Sequence, residues 1–256
     1  LPSTLSMRRT VITEAIASLR IAAVIVPRIA SSAAARDDRA LAAAQSRAYE
    51  VALGLALPAA AAFALLAKPI AGGLFEHGAF GPRDTVAVAA ALAAISAGLP
   101  GHVLEKVFGA VSFAHEDTRT PMFAALCGLA AAIAGGVLLF SHYGHIGAAA
   151  AFAASGWVGA AVLGTVLYRR GWLWLDQEAR RRLPRIAAAT VAMGLAIGFS
   201  ALAVVRTFPA AETSSFGRLI MLLTLVLLGL IIYCAALHVL GVAKLREITS
   251  EMSSRV

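Results

Sequence analysis

A chain of 256 residues that is 60% hydrophobic and 14% charged, with a mean hydropathy of +0.81, is too apolar for an ordinary soluble domain. Its formal charge of +8 sits in short clusters between apolar runs rather than along one face, which speaks against a nucleic-acid partner and for a polytopic α-helical membrane protein. Only Cys127 and Cys234 are present, each inside an apolar run, so neither a disulfide framework nor a thiolate zinc site is indicated and both are expected to be small buried thiols.

The start, Leu1 to Thr10, carries the basic pair Arg8 and Arg9 without a small-residue cleavage site after a clean apolar core, so no secretory signal is expected. Residues 11–30 form the weakest span, interrupted by Glu14 and Arg20. An arginine at mid-depth costs about 3 kcal/mol on insertion scales and needs a partner or a water-filled cavity. Pro27 and Arg28 close it. Residues 31–48, rich in alanine and carrying Arg36, Asp37, Asp38, Arg39 and Arg47, predict a helix at the membrane interface with a solvated face.

The second span runs from about Tyr49 to Ala67, with Pro58 inside it removing one backbone hydrogen bond. Lys68 to Asp84 reads as a loop shaped by Gly72, Gly73, Gly78, Gly81 and Pro82. The third span, Thr85 to Phe113, is broken near its middle by Gly98-Leu99-Pro100-Gly101, which predicts a kinked or hinged helix. A polar island, Ala114 to Pro121, follows. Asp117 and Thr118 can accept bonds from N–H groups left open at a helix start, and Pro121 suits a first turn that needs no donor.

The fourth span covers Met122 to Phe140 and a tight loop, Ser141 to His145, leads into the fifth, Ile146 to Tyr168. That fifth span is so rich in glycine and alanine that it reads as a packing helix buried in a bundle. Arg169 to Arg185 is the most basic connection, with Trp172 and Trp174 suited to an interface. The sixth and seventh spans, about Ile186 to Val205 and Leu219 to Val242, precede a polar tail over residues 243–256. The fold class is therefore all-α, a membrane helical bundle of about seven transmembrane helices.

Alternating connections set the orientation. One side holds Arg28, Arg36, Arg39, Arg47, Arg119, Arg169, Arg170, Arg180, Arg181, Arg182, Arg185, Lys244, Arg246 and Arg255; the other, after the first span, holds Lys68, Arg83, Arg206 and Arg218. Fourteen cations against four place the island, the Trp-bearing connection and the tail in the cytoplasm.

Charged residues inside spans are the informative ones. His102, Glu105 and Lys106 lie in the cytoplasmic half of the third span, with His102 and Lys106 one turn apart on one face. Lys106 is placed to neutralise an anionic substrate away from bulk water; the alternative is that Glu105 and Lys106 pair with neighbours or that Lys106 snorkels to the surface. Glu50 suits proton or cation exchange, or dipole stabilisation at a helix start. Glu76 with His77, and His142 with His145, lack the further ligands that a metal site needs. No nucleophile elbow, phosphate-binding glycine loop or zincin motif is present, so neither catalysis nor a metal or other cofactor is expected.

The run Lys106 to Pro121, KVFGAVSFAHEDTRTP, resembles the lysine-bearing helix and "DTRTP" turn of the MurJ/MviN family, bacterial lipid II flippases of the multidrug/oligosaccharidyl-lipid/polysaccharide exporter superfamily. Leu74 to Phe80 is similar to that family's "LFxxGxF" loop. The likeness extends from about Ala22 to Leu245. It implies that these spans correspond to the eighth to fourteenth of fourteen helices, the C-terminal half, with the N-terminal lobe and its cavity arginines having no counterpart here. It further implies a multi-pass protein of the bacterial inner membrane that moves an undecaprenyl-linked peptidoglycan precursor by alternating access. In that reading His102, Glu105 and Lys106 are substrate contacts, Gly98, Pro100 and Gly101 a hinge, and Asp117, Thr118, Arg119, Thr120 and Pro121 the cytoplasmic turn. Membrane lipids, the lipid-linked precursor and a separate N-terminal half are the implied partners. A drug or polysaccharide-precursor exporter, or a non-transporting helper, are the other classes the sequence allows.

Overall fold

The computed structural model describes residues 38–76, 78–207 and 215–242, and among them the regular structure is helical throughout. The order is α1 (Asp38–Leu65), α2 (Ala67–Phe75), α3 (Pro82–Ser96), α4 (Leu99–Ala114), α5 (Arg119–Arg169), α6 (Gln177–Thr207) and α7 (Ser215–Val239). The first span and the tail, with Arg8, Glu14, Arg20 and His77, lie outside the described residues.

The 51 residues of α5 would make a straight rod of about 76 Å, more than twice a hydrocarbon core of about 30 Å. Gly144 resolves the excess. Its backbone, φ 56° and ψ −135°, is a conformation that only glycine adopts without strain, and it folds α5 into two arms, 119–143 and 145–169. The arms run antiparallel with small residues between them: Gly128 faces the Ser155 carbonyl, Gly135 faces Ala151, and Gly147 lies against Leu139.

Five helical stretches are long and apolar enough to cross a membrane: Ala42–Leu65, Pro82–Ala114, Arg119–Arg169, Gln177–Ala203 and Gly217–Val239. With α5 folded in two, they make six crossings among the described residues, matching the second to seventh spans of the sequence. Three boundaries differ. Residues 38–48 continue into α1 instead of forming a separate interfacial piece, Ala67–Phe75 is a helix rather than loop, and the basic connection is already helical from Gln177. In each case a short polar or glycine-containing stretch packs against its neighbours strongly enough to override local propensity.

Three helix ends close on residues with positive φ: Glu116 (59°) after α4, Gly171 (71°) after α5 and Gly241 (68°) after α7. Each forms the same six-to-one bond, Asp117 N to Ser112 O, Trp172 N to Leu167 O and Val242 N to Leu237 O, so the last carbonyls are not left open.

The largest apolar cluster joins Leu66, Met193, Ile197, Leu222, Leu225 and Tyr233, packing α6 and α7 against the α1–α2 junction. A second joins Val111 of α4 to Ala124, Leu163 and Leu167 of α5. Outward-facing Val137, Leu138, Phe199, Leu195 and Ile231 stay exposed, as a lipid-facing surface requires. Cys127 is partly buried, whereas Cys234 lies on that exposed surface rather than inside, because its neighbour Tyr233 takes the inward position.

Pro58 has no N–H to offer the Gly54 carbonyl one turn earlier, and Tyr233 of α7 donates its hydroxyl to that carbonyl at 2.6 Å. Tyr233→Phe should therefore cost about 1 kcal/mol in detergent unfolding. In a Pro58→Ala background, where an amide is restored, the same change should cost distinctly less. Equal costs in the two backgrounds would show that the hydroxyl does not serve the proline gap.

Candidate functional site

The sequence places its chemistry on α4, and the fold gives that helix three different faces. Val107 and Ala114 pack on Ala44 and Ala48 of α1, and Phe108 meets Tyr49 edge-on at 5.7 Å. A second face lies against the second arm of α5, running in the same direction: Gly98 opposite Ala153, His102 opposite Gly156, Glu105 opposite Gly159 and Phe108 opposite Gly164. The third face, through Lys106 and Phe113, is exposed.

The glycines of α5 explain how a polar pair fits at a helix interface. A Cβ at Gly156 would come within 2.6 Å of the His102 ring, and one at Gly159 within 2.7 Å of the Glu105 carboxyl carbon. His102 also lies on Phe152, with ring centroids 4.8 Å apart, and its Nε2 is 3.2 Å from the Phe152 carbonyl oxygen. Its Nδ1 is 3.8 Å from Glu105. His102 and Glu105 are thus turned towards α5 and half-buried. Lys106, one turn from His102, points to the open side and has no hydrogen-bond or ion-pair partner among the described residues.

Gly98, Pro100 and Gly101 sit where α3 ends and α4 begins. Neither glycine has free space: a Cβ at Gly98 would collide with the Ala153 backbone, and one at Gly101 would come within 2.8 Å of the Trp157 backbone nitrogen. These positions need glycine for close approach of two helices.

The island is held at both ends. Asp117 Oδ1 accepts the amides of Arg119 (3.0 Å) and Thr120 (3.1 Å), and Oδ2 accepts the Thr120 hydroxyl and the Arg170 guanidinium. Asp117 therefore closes the start of α5, while Thr118, although it is the capping residue by position, makes no side-chain cap. Arg119 is exposed and Thr120 buried. Arg170 also stacks over Trp172 at 4.8 Å, and Trp172 stacks on His115 at 4.2 Å. From there the connection to α6 is pinned to α1: the Trp174 amide donates to Gln45 (3.2 Å) and the Asp176 amide to Ser46 (2.8 Å). Glu50 is taken up in an ion-pair group with Arg182 (3.2 Å) and Arg47 (3.6 Å), with Glu178 bonding Arg182 at 2.5 Å.

At the other end of the bundle, Glu76 binds Arg218 Nη1 at 2.5 Å and the Thr85 hydroxyl at 2.7 Å, tying α2, α3 and α7 together. The Thr85 hydroxyl, then Arg218, hold its carboxyl below the usual carboxylate range. His145 reaches the Ala87 carbonyl at 3.2 Å, and His142 is exposed. Among the described residues no group of three His, Cys, Asp or Glu side chains is arranged to hold a metal ion.

The sequence matches the family described as "Lipid II flippase MurJ" over residues 8–213, most of the chain. The chain belongs to the MurJ family. It is 36% identical over 236 residues to a protein of Rhizobium meliloti (strain 1021) named "Probable lipid II flippase MurJ", covering 91% of this chain and 43% of that protein. A protein of the same name from Rhizobium tropici is 35% identical over 179 residues, 70% of this chain and 34% of the relative. The chain thus spans less than half the length of these MurJ relatives. A solved structure titled "Lipid II flippase MurJ, inward closed conformation" superposes with a TM-score of 0.66 at 22% identity, covering 84% of this chain and 41% of its own, which shows a shared fold. As a MurJ-family chain with six crossings described, this is a multi-pass protein of the bacterial inner membrane.

Residue type singles out Lys106, His102, Glu105 and Asp117. It gives no sign of Arg170, Trp157 or Arg218 as partners, since an arginine or tryptophan near a span end is common for topological reasons alone.

The Asp117 carboxyl is held down to about 2, first by the Thr120 hydroxyl and then by the Thr120 amide and Arg170. A carboxylate favoured in the folded state contributes stability fully above its ordinary value of about 3.9 and loses it as pH falls towards 2. The apparent melting temperature of wild-type protein should therefore fall more steeply between pH 5 and pH 2 than that of Asp117→Asn. Parallel slopes would contradict this role.

Proposed function

We propose that this chain forms part of a carrier that moves lipid II, the undecaprenyl-pyrophosphate-linked peptidoglycan precursor, from the cytoplasmic to the outer leaflet. No covalent step is involved. Membership of the MurJ family supports the substrate class, and the cation asymmetry of the connections supports a cytoplasmic island and Trp-bearing connection.

The observation that carries the reading is Lys106. It stands eight residues before the end of α4, about 12 Å along the axis, on the only face of that helix that neither α1 nor α5 covers among the described residues. An unpaired cation at that depth is costly unless it meets water or an anion, and a pyrophosphate supplies the anion. His102 and Glu105, seated over Gly156 and Gly159, hold α4 in the rotation that keeps Lys106 on the open side. The pair Asp117 and Arg170 fixes the cytoplasmic turn where the helix emerges.

In a full-length context, Lys106→Ala should lower lipid II transport at least about tenfold, the cost of losing one charged hydrogen-bonding contact, and should impair growth of a flippase-depleted cell. Lys106→Arg should retain a measurable part of both. Normal growth on Lys106→Ala at normal protein levels would assign the lysine to snorkelling instead.

A further inference from the structure

The break between α3 and α4 leaves backbone acceptors open inside a membrane span. Pro100 has no amide for the Ser96 carbonyl, the Gly98 amide turns back to Ile95 at 3.0 Å, and regular bonding resumes with His102 N to Gly98 O at 3.0 Å. The Ala97 carbonyl, at the centre of the break, accepts the indole N–H of Trp157 from α5 at 2.9 Å. That bond joins the two ends of the problem: an acceptor that hydrocarbon cannot satisfy, and an indole donor that needs a partner.

The two sides of the break are not held equally. On the α4 side, Gly98, Gly101, His102 and Glu105 lie in backbone-level contact with Ala153, Trp157, Gly156 and Gly159, so α4 and the second arm of α5 pack as one body. On the α3 side, the polar ties to α5 are the Trp157 bond at Ala97 and His145 to the Ala87 carbonyl at 3.2 Å; otherwise α3 packs through Ala89, Leu92 and Ala93 onto Ala67 and Ala71 of α2.

We infer that the third span pivots at Ala97–Gly98 with α3 and α2 as the moving side, and that Trp157 is the positioning residue that sets the pivot. Gly98 and Gly101 belong to the fixed side, where they seal α4 to α5. The consequence for substrate movement rests on the flippase reading; the pivot itself does not.

The test uses the full chain in lipid nanodiscs, with Cys127→Ala and Cys234→Ala and two spin-label pairs read by pulsed electron resonance. Val86→Cys with Tyr168→Cys spans the break, and Phe113→Cys with Ala148→Cys lies within the fixed body. Trp157→Phe keeps the ring and removes the N–H. It should shift or split the first distance distribution and leave the second in place. Movement of both pairs together, of the second alone, or of neither would overturn the inference. Should Trp157→Phe fail to insert, wild-type protein decides: the first distribution must be the broader, and an equal or narrower one overturns the pivot. Lipid II transport measured on the same samples separates the two claims, since a distance shift in a protein that carries no lipid II would sink the flippase reading alone.

Discussion

A backbone carbonyl inside a hydrocarbon layer must find a donor in the protein, and this constraint organises the bundle. The chain breaks its own helices at Pro58 and around Pro100, and in each case an aromatic donor from another helix fills a gap. Tyr233 of α7 reaches Gly54 on α1, and Trp157 of α5 reaches Ala97 at the α3–α4 break. These bonds fix which helices are neighbours. Glycines then set how close those neighbours come, with Gly156 and Gly159 admitting His102 and Glu105 to an interface that leucine would have closed.

From that packing the electrostatics follow. Because His102 and Glu105 occupy the α5 side of α4, and Phe108 and Val107 the α1 side, Lys106 is left on the open face beside Phe113. The ends of the bundle carry their own charge clamps: Asp117 with Arg170 at the island, and Glu76 with Arg218 at the opposite end. Neither is a spare binding group, since each carboxylate is already filled by guanidinium, hydroxyl or amide donors.

Much of this was legible in the sequence. The apolar runs and their punctuation located the six crossings that the described residues contain, and the island was readable as a capped turn because Asp117, Thr118 and Pro121 are residues that helix starts demand. The fold of α5 at Gly144 was marked by a short polar stretch between two long runs. Less legible was α2, whose nine residues include two glycines and a proline and are helical because Ala67 and Ala71 pack on α3. The partners of the breaks were invisible for a different reason. A proline announces an open acceptor one turn earlier, but which of the tryptophans or tyrosines reaches it depends on three-dimensional neighbours 60 or 179 residues away. The glycines at 98 and 101 illustrate the same limit: sequence suggested flexibility, and the structure shows close approach.

The most direct test of the account is photo-crosslinking from the open face of α4. A benzophenone amino acid in place of Phe113, seven residues from Lys106 and on its face, should capture radiolabelled lipid II in the full-length protein, while the same group in place of Leu195 on the lipid-facing side of α6 should not. Equal capture at both positions, or capture at Leu195 alone, would contradict the placement of the substrate path along Lys106.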